Sequence, residues 1–231
     1  MINWNAYDTT KPRVKPVAWG NMQVESFTQP CNTISIQHVP KHMAVFSTIL
    51  HDHVEFNKYL KQVILEHRQN NPETTESNVK AWHSTWQTHE ENPKFQPLVE
   101  RTLELCKFIS KSYYECSYVS FQVLNLWAMM YEDTEYTRRH SHFPSDFAAC
   151  YYVDVEPGCA PVLFENAVKD GIHDNNQPLT VQPENGMLLV WPALLHHEVP
   201  PTKGRRMAIS MNIEKGERKF PSLKEEGWQY V

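Results

Sequence analysis

Two helices are predicted in the first half of the chain, where apolar residues recur every three or four positions. The first follows Asp52, a plausible N-cap, and ends before Asn71-Pro72, because the residue preceding a proline disfavours helical backbone angles. Its expected buried stripe is Phe56, Tyr59, Leu60, Val63 and Ile64. The second helix is predicted over residues 94–115, with a stripe made of Phe95, Leu98, Val99, Leu103, Cys106 and Ile109. Both stripes are expected to pack into a hydrophobic core.

After Tyr118 the apolar pattern changes to the two-residue period of β-strands. The longest run alternates through Phe121, Val123, Asn125, Trp127, Met129 and Tyr131. Other strands are predicted over residues 31–37, 147–156, 161–165, 179–182, 186–191, 195–199 and 206–214. Short strands separated by turn residues favour a sandwich or barrel over a parallel α/β sheet. We therefore predict a mostly β protein with flanking α-helices, in which the helices pack against a double-stranded β-helix, the cupin-like jelly roll.

The length of 231 residues is enough for one sizeable core. We predict an irregular N-terminal arm over residues 1–30 and a single domain over 31–231. Within that domain the helical part covers 52–115 and the jelly-roll core covers 118–214. The polar segment 71–92 is expected to be a loop, and its Trp82 and Trp86 are candidates for the mouth of a substrate site.

Composition narrows the classes of partner. The net charge is −5 and no cluster of Lys or Arg is present, so neither a nucleic acid nor a membrane surface is an expected partner. The five cysteines form no Cys-x-x-Cys pair, which favours free thiols in a reducing compartment. No apolar run approaches the roughly 18 residues of a membrane span. We expect a cytoplasmic protein, and the sequence leaves its oligomeric state open.

A metal site is indicated by three histidines. His140 and His142 are two residues apart, so on a strand they would share a face. His197 follows at the end of a later predicted strand. Two imidazoles on one face and a third from a distant strand predict a site for a divalent, iron-type metal with coordination positions left open.

The final strand supplies a cation beside these histidines. Alternation puts Arg206, Ala208, Ser210 and Asn212 on one face, while the opposite face is wholly apolar. The polar face suits a ligand cavity, so Arg206 is predicted to point into the site and Arg205 towards solvent. A guanidinium binds a carboxylate through two parallel hydrogen bonds, as an acidic co-substrate would require. Tyr131, Asn125 and Asn212 are further candidates for binding that co-substrate.

Six segments together resemble the 2-oxoglutarate/iron(II) oxygenase superfamily, and most closely a group of oxygenases common in bacteria and phages. The segments are Leu-Asn-Leu-Trp-Ala (124–128), His-Ser-His-Phe-Pro-Ser (140–145), Tyr-Tyr-Val (151–153), Pro-Glu-Asn-Gly-Met-Leu-Leu-Val-Trp-Pro (183–192), His-His-Glu-Val (196–199) and Arg-Met-Ala-Ile-Ser-Met-Asn (206–212). More distantly, Tyr131…Tyr136-Thr-Arg-Arg-His140-Ser-His142 is similar to a run of the prolyl 4-hydroxylases.

The resemblance implies a hydroxylating dioxygenase that uses Fe(II), 2-oxoglutarate and O₂ on a small-molecule or peptide substrate and releases succinate and CO₂. It implies His140 and His197 as iron ligands, and Arg206 and Tyr131 as co-substrate residues. His142 stands where the superfamily has a carboxylate. The third ligand is therefore either His142, as in the closer group, or Asp146 from the following turn.

Two other classes of protein remain open from the sequence. A cupin-like metalloprotein with no dependence on an oxoacid would use the same histidines with Asp146. A non-catalytic jelly-roll binding module would use none of them. Arg206 on the cavity face favours the oxygenase over the cupin-like protein.

Overall fold

Two antiparallel sheets and three helices make up the computed structural model, which describes residues 13–14, 19–23, 33–37, 43–75, 77–116, 120–165 and 178–216. The strands are β1 (Arg13–Val14), β2 (Trp19–Gln23), β3 (Thr33–Gln37), β4 (Val45–Ile49), β5 (Val79–Lys80), β6 (Trp82–His83), β7 (Phe121–Tyr131), β8 (Tyr136–His140), β9 (Phe147–Val155), β10 (Val162–Phe164), β11 (Leu179–Val181), β12 (Met187–Pro192), β13 (His197–Val199) and β14 (Arg206–Lys215). The helices are α1 (His53–Asn70), α2 (Thr88–Glu91) and α3 (Gln96–Ser112).

The larger sheet has the order β1-β2-β3-β4-β12-β9-β14-β7-β6, and the smaller sheet has the order β11-β10-β13-β8-β5. The chain passes repeatedly between them, because consecutive strands such as β7 and β8, β9 and β10, or β12 and β13 lie in different sheets. This is the predicted double-stranded β-helix. Within the described part of the chain, no helix is long and apolar enough to cross a membrane.

The larger sheet has a hydrophobic core on each face. One core lies between this sheet and the helices, and the other lies between the two sheets. Strand β14 contributes to both cores because its side chains alternate. Its apolar face is buried in the core between the sheet and the helices and consists of Met207, Ile209, Met211 and Ile213. Ala208 on the opposite face belongs to the core between the sheets. The alternation read from the sequence therefore places Arg206 between the sheets.

Both long helices lie where the apolar pattern predicts them, but the N-cap, one buried position and the ends of the second helix differ from the prediction. Helix α1 stops at Asn70, as expected, but the side chain of Asp52 makes no capping hydrogen bond and instead pairs with Arg101 at 2.7 Å. Tyr59 was placed in the buried stripe and is 40% exposed. Helix α3 begins at Gln96 because a 3₁₀ turn, Pro93–Phe95, precedes it, and it ends at Ser112.

Several short elements were not predicted. Segment 71–92, expected to be a loop, contains β5, β6 and α2, and strands β4 and β8 were also missed. Strands β1 and β2 lie in the arm that was expected to be irregular. Of the strand predicted over 31–37, residues 33–37 form β3, and residues 31–32 lie outside the described residues.

Candidate metal centre

Three histidines converge between the sheets at one end of the jelly roll. His140 ends β8, His197 begins β13, and the two residues are paired across these neighbouring strands. His142 follows two residues after the end of β8. One ring nitrogen from each histidine can be chosen so that all three lie within 4.8 Å of one another. The Nε2 atoms of His142 and His197 are 3.3 Å apart, a separation that a shared ligand or metal would suit.

His142 reaches this cluster from a turn and not from the strand that holds His140. Its backbone N–H donates to the carbonyl of Ala193 at 2.8 Å, and its own carbonyl accepts from the N–H of Ser145 at 3.0 Å. The expectation that both histidines share one strand face was therefore wrong. The turn, which is anchored to the start of the loop between β12 and β13, brings His142 to the same place.

The hydrogen bonds of the three rings fit a metal. Each Nδ1 faces an oxygen that can only accept: His140 bonds to the Arg138 carbonyl at 2.8 Å, His142 to Asn212 Oδ1 at 2.6 Å, and His197 to the Leu195 carbonyl at 3.2 Å. These acceptors favour protonation at Nδ1 in each ring, which leaves Nε2 with its lone pair. Backbone or side-chain acceptors on the second nitrogen are the usual support of metal-binding histidines. The three imidazoles present a donor set that suits Fe(II).

The electrostatics of the cluster favour neutral rings. Burial, together with the nearby His140, lowers the pKa of His142 to about 3. Burial also holds the pKa of His197 well below its usual range and lowers the pKa of His140. Neutral imidazoles have the free lone pair that a metal requires.

Asp146, the other candidate for the third ligand, is engaged elsewhere. One carboxylate oxygen accepts from the backbone N–H of Lys215 at 2.8 Å, and the other lies 3.1 Å from the Lys215 ammonium. No carboxylate joins the histidine cluster within the parts of the chain that are described. Of the two residues left open by the sequence, His142 is the one that the structure brings to His140 and His197.

Arg206 is a buried cation in the same cavity. It is only 3% exposed, and its guanidinium lies over the Tyr131 ring, 4.3 Å from the centroid. One Nη atom donates to the Ala160 carbonyl at 3.2 Å, while the buried Nε has no partner. Among the described residues, no acidic side chain pairs with it. A buried charge with no counter-ion is costly, so this position favours an anionic ligand.

The neighbouring Arg205 points to solvent, as the alternation predicts. Its side chain is 70% exposed and pairs with Glu156 at 2.6 Å. Arg206 therefore points into the cavity, and Arg205 lies on the surface.

A cavity connects the histidines with Arg206. Its walls include Tyr131, Thr137, Tyr152 and Ser210, so Tyr131 lies where a co-substrate residue was predicted. The Tyr131 hydroxyl is 2.6 Å from the Thr137 hydroxyl, and the two groups form a polar corner beside the guanidinium. Sequence reasoning missed Thr137 and Tyr152. Thr137 lies on the unpredicted strand β8, and Tyr152 lies in an apolar run whose two faces are both buried.

Asn125 and Asn212 lie at the histidine end of the site, away from Arg206. They are directly opposite each other on β7 and β14, and Asn212 Nδ2 donates to Asn125 Oδ1 at 3.1 Å. Asn212 also contacts His142, as described above. Both were predicted to bind the co-substrate, but the structure places these amides behind a histidine ring.

Only one of the two tryptophans proposed for the substrate mouth lies near the histidines. Trp82 is buried, and its Nε1 donates to the Asn71 carbonyl at 3.2 Å. Trp86 is 37% exposed and packs edge-on against Trp127 at 4.8 Å. Trp127 in turn stacks on His142 at 5.8 Å, so Trp86 is linked to the cluster through one ring.

Comparison with known proteins agrees with this geometry. Residues 125–213 match the family model described as "Putative 2OG-Fe(II) oxygenase", a stretch that includes all three histidines and Arg206. A sequence comparison with curated proteins finds no match.

Solved structures with the same fold include several oxygenases. A prolyl-4-hydroxylase from Pseudomonas putida is 15% identical, covers 82% of this chain and 95% of its own, and has a TM-score of 0.52. The α-ketoglutarate-dependent carbocyclase SnoK from nogalamycin biosynthesis is 10% identical, with coverages of 76% and 81% and a TM-score of 0.60. A Trichoplax adhaerens prolyl hydroxylase in complex with a hypoxia inducible factor peptide is 15% identical, with coverages of 68% and 77% and a TM-score of 0.50. The family match over residues 125–213 and the shared fold confirm the resemblance to the 2-oxoglutarate/iron(II) oxygenases.

Proposed function

We propose that His140, His142 and His197 hold Fe(II) as a three-histidine centre, and that the enzyme hydroxylates its substrate. The observation on which this rests is the arrangement of three imidazoles whose Nδ1 atoms all face oxygen acceptors, so that three Nε2 lone pairs point into one space. When bound, the metal and 2-oxoglutarate supply O₂ activation coupled to oxidative decarboxylation, which yields succinate and CO₂.

Arg206 serves as the anchor of the co-substrate in this proposal. Its guanidinium binds the carboxylate of 2-oxoglutarate far from the metal, and the Tyr131 and Thr137 hydroxyls beside it offer hydrogen bonds to the same group. Because all three protein ligands are neutral, the centre keeps the full charge of the metal. That charge strengthens the attraction for a dianionic co-substrate relative to a centre with one carboxylate ligand.

The substrate is a small molecule or a peptide. Prolyl hydroxylases are among the structures that share this fold, and one of them is in complex with a peptide. Three exposed apolar side chains support an entrance beside the histidines: Trp86, Phe143 next to His142, and Leu194 next to Ala193. Such side chains favour a substrate that presents an apolar group.

The proposal is tested by anaerobic titration with Fe(II), with and without 2-oxoglutarate, while the visible charge-transfer band of the chelate is recorded. Wild type should develop the band only with both components. His142→Ala should abolish it, and Asp146→Asn, the matched control, should leave it unchanged. Arg206→Ala should require much more 2-oxoglutarate to develop the same band.

Two results would overturn the proposal in different ways. Loss of the band in Asp146→Asn with retention in His142→Ala would make the aspartate the third ligand. Stoichiometric metal binding without any response to 2-oxoglutarate would favour a cupin-like metalloprotein instead.

A further inference from the structure

We propose that Asn212 and Asn125 form a positioning pair that sets the tautomer and orientation of His142. This inference rests on the proposed three-histidine centre and deepens it. The ring of His142 has two nitrogens, and only the tautomer with its proton on Nδ1 leaves Nε2 free for a metal. Asn212 Oδ1 accepts from Nδ1 at 2.6 Å, which selects that tautomer.

His142 needs such a partner more than the other two ligands do. The His140 and His197 rings bond to backbone carbonyls two residues earlier in the chain, so their acceptors come from the local backbone. His142 lies in a turn after β8, and its acceptor is a side chain from β14, 70 residues later in the chain. The acceptor of its Nδ1 is therefore a single side-chain amide from a distant strand.

An amide alone does not guarantee an acceptor, because it can rotate and present its NH₂ group instead. Asn125 restrains this rotation. Its Oδ1 accepts from Asn212 Nδ2 at 3.1 Å, so Asn212 presents Oδ1 to the histidine when that bond is made. The two residues are directly opposite each other on β7 and β14, a register that keeps their side chains in reach.

The chemistry of the pair also matches a ligand set without a carboxylate. A carboxylate acceptor at position 212 would add negative charge to the imidazole and partly neutralise the centre. An amide fixes the ring without that charge. The pair thus fixes the His142 ring while leaving the positive charge of the metal undiminished.

The first test needs no metal and no activity. Long-range ¹H–¹⁵N spectra of the imidazole rings in the metal-free protein report which nitrogen is protonated, with His142 assigned by the loss of its signals in His142→Asn. Wild type should show the Nδ1-H tautomer. Asn212→Leu should show a mixture or the Nε2-H form, and a wild-type pattern in that variant would overturn the proposal.

The second test measures Co(II) affinity by visible absorption, with Co(II) as the probe for the Fe(II) site. Loss of such a supporting hydrogen bond weakens metal binding by roughly 10–100-fold, which we expect for Asn212→Leu. Asn212→Asp keeps an acceptor and should restore most of the affinity. Asn125→Leu should lie between wild type and Asn212→Leu, because it frees the amide to rotate. Unchanged affinity in Asn212→Leu would overturn the proposal.

Asn57→Leu is the matched control for loss of a hydrogen-bonded amide. Asn57 Oδ1 accepts from the Tyr151 hydroxyl at 2.6 Å on the helical side of the larger sheet. Its removal should lower stability and leave both the His142 tautomer and the Co(II) affinity unchanged; a matching loss of affinity there would reduce the Asn212 effect to general destabilisation.

Failure of this inference is distinguishable from failure of the proposed function. If His142→Ala lost Co(II) binding while Asn212→Leu kept it, the three-histidine centre would be supported and the positioning role of Asn212 would be contradicted. If His142→Ala kept full affinity, the centre itself would be wrong, whatever the tautomer of His142.

Discussion

At the scale of single residues, the buried guanidinium of Arg206 gives a sharp prediction. Arg206→Lys keeps the positive charge but loses the planar fork and its stacking on Tyr131. We expect the 2-oxoglutarate concentration at half-saturation to rise by roughly tenfold or more, in line with the loss of a charge-assisted hydrogen bond. Fe(II) affinity should stay unchanged because the histidines do not contact Arg206. Isothermal titration with each component measures both quantities.

The neighbouring arginine is the control for this substitution. Arg205→Lys changes an exposed side chain that pairs with Glu156, so neither affinity should move. If both variants lost affinity for 2-oxoglutarate equally, the assignment of Arg206 as the inward anchor would be contradicted.

The sequence was sufficient for some residue roles and insufficient for others. Alternation along one strand separates Arg206 from Arg205, because side chains on a strand point to opposite faces in turn. The same rule puts Asn212 on the cavity face but cannot tell whether its amide meets a co-substrate or a histidine. That choice depends on where the turn after β8 places His142. Sequence spacing alone does not fix the path of this turn.

At the scale of elements, the start of α1 is tightly fitted to the turn before β12. Gly186 in that turn has φ +83°, and a Cβ there would lie 2.3 Å from the Cβ of His53, the first residue of α1. The turn is also bonded on both sides, from Leu50 N–H to the Gly186 carbonyl and from Gly186 N–H to the Tyr152 carbonyl. The start of the helix therefore leaves no room for a side chain at position 186.

Gly186→Ala should destabilise the protein strongly. A left-handed backbone costs an alanine about 1–2 kcal/mol and overpacking a further ~1–3 kcal/mol, so we expect a loss of roughly 2–5 kcal/mol. Gly158 has a similar φ of +89°, but its nearest heavy atom to an added Cβ is 3.9 Å away. Gly158→Ala should lose only the backbone part, about 1–2 kcal/mol. Urea unfolding of the two variants measures the difference, and equal losses would contradict the steric argument.

Elements with many periodic residues were predictable, and short ones were not. Helices α1 and α3 and strands β7, β9 and β14 each repeat their apolar pattern several times, and their predicted positions agree with the structure to within a few residues. Strands β5 and β6 contain two residues each, too few for a period to appear. Their pairing with β8 and β7 is a tertiary event, since the partners lie far along the chain.

At the scale of the whole molecule, the two cores share one sheet, and Arg206 and its polar neighbours lie between the sheets. That space also contains titratable rings held neutral by burial. Burial lowers the pKa of His140, His142 and His197, and it lowers the pKa of two further histidines outside the cluster, His67 and His83. The folded state is therefore most stable when these imidazoles are uncharged.

The metal-free protein should therefore lose stability on mild acidification. A histidine whose pKa is lower in the folded state binds more protons when unfolded, so the free energy of unfolding falls as pH drops below the unfolded value near 6.5. For His142, whose folded pKa is about 3, we expect a loss on the order of 2 kcal/mol between about pH 7.5 and about pH 5. Urea unfolding in the presence of a chelator at the two pH values measures it. His142→Asn should flatten this dependence by that amount, and an equally steep dependence in the variant would show that its ring is not held neutral by the fold.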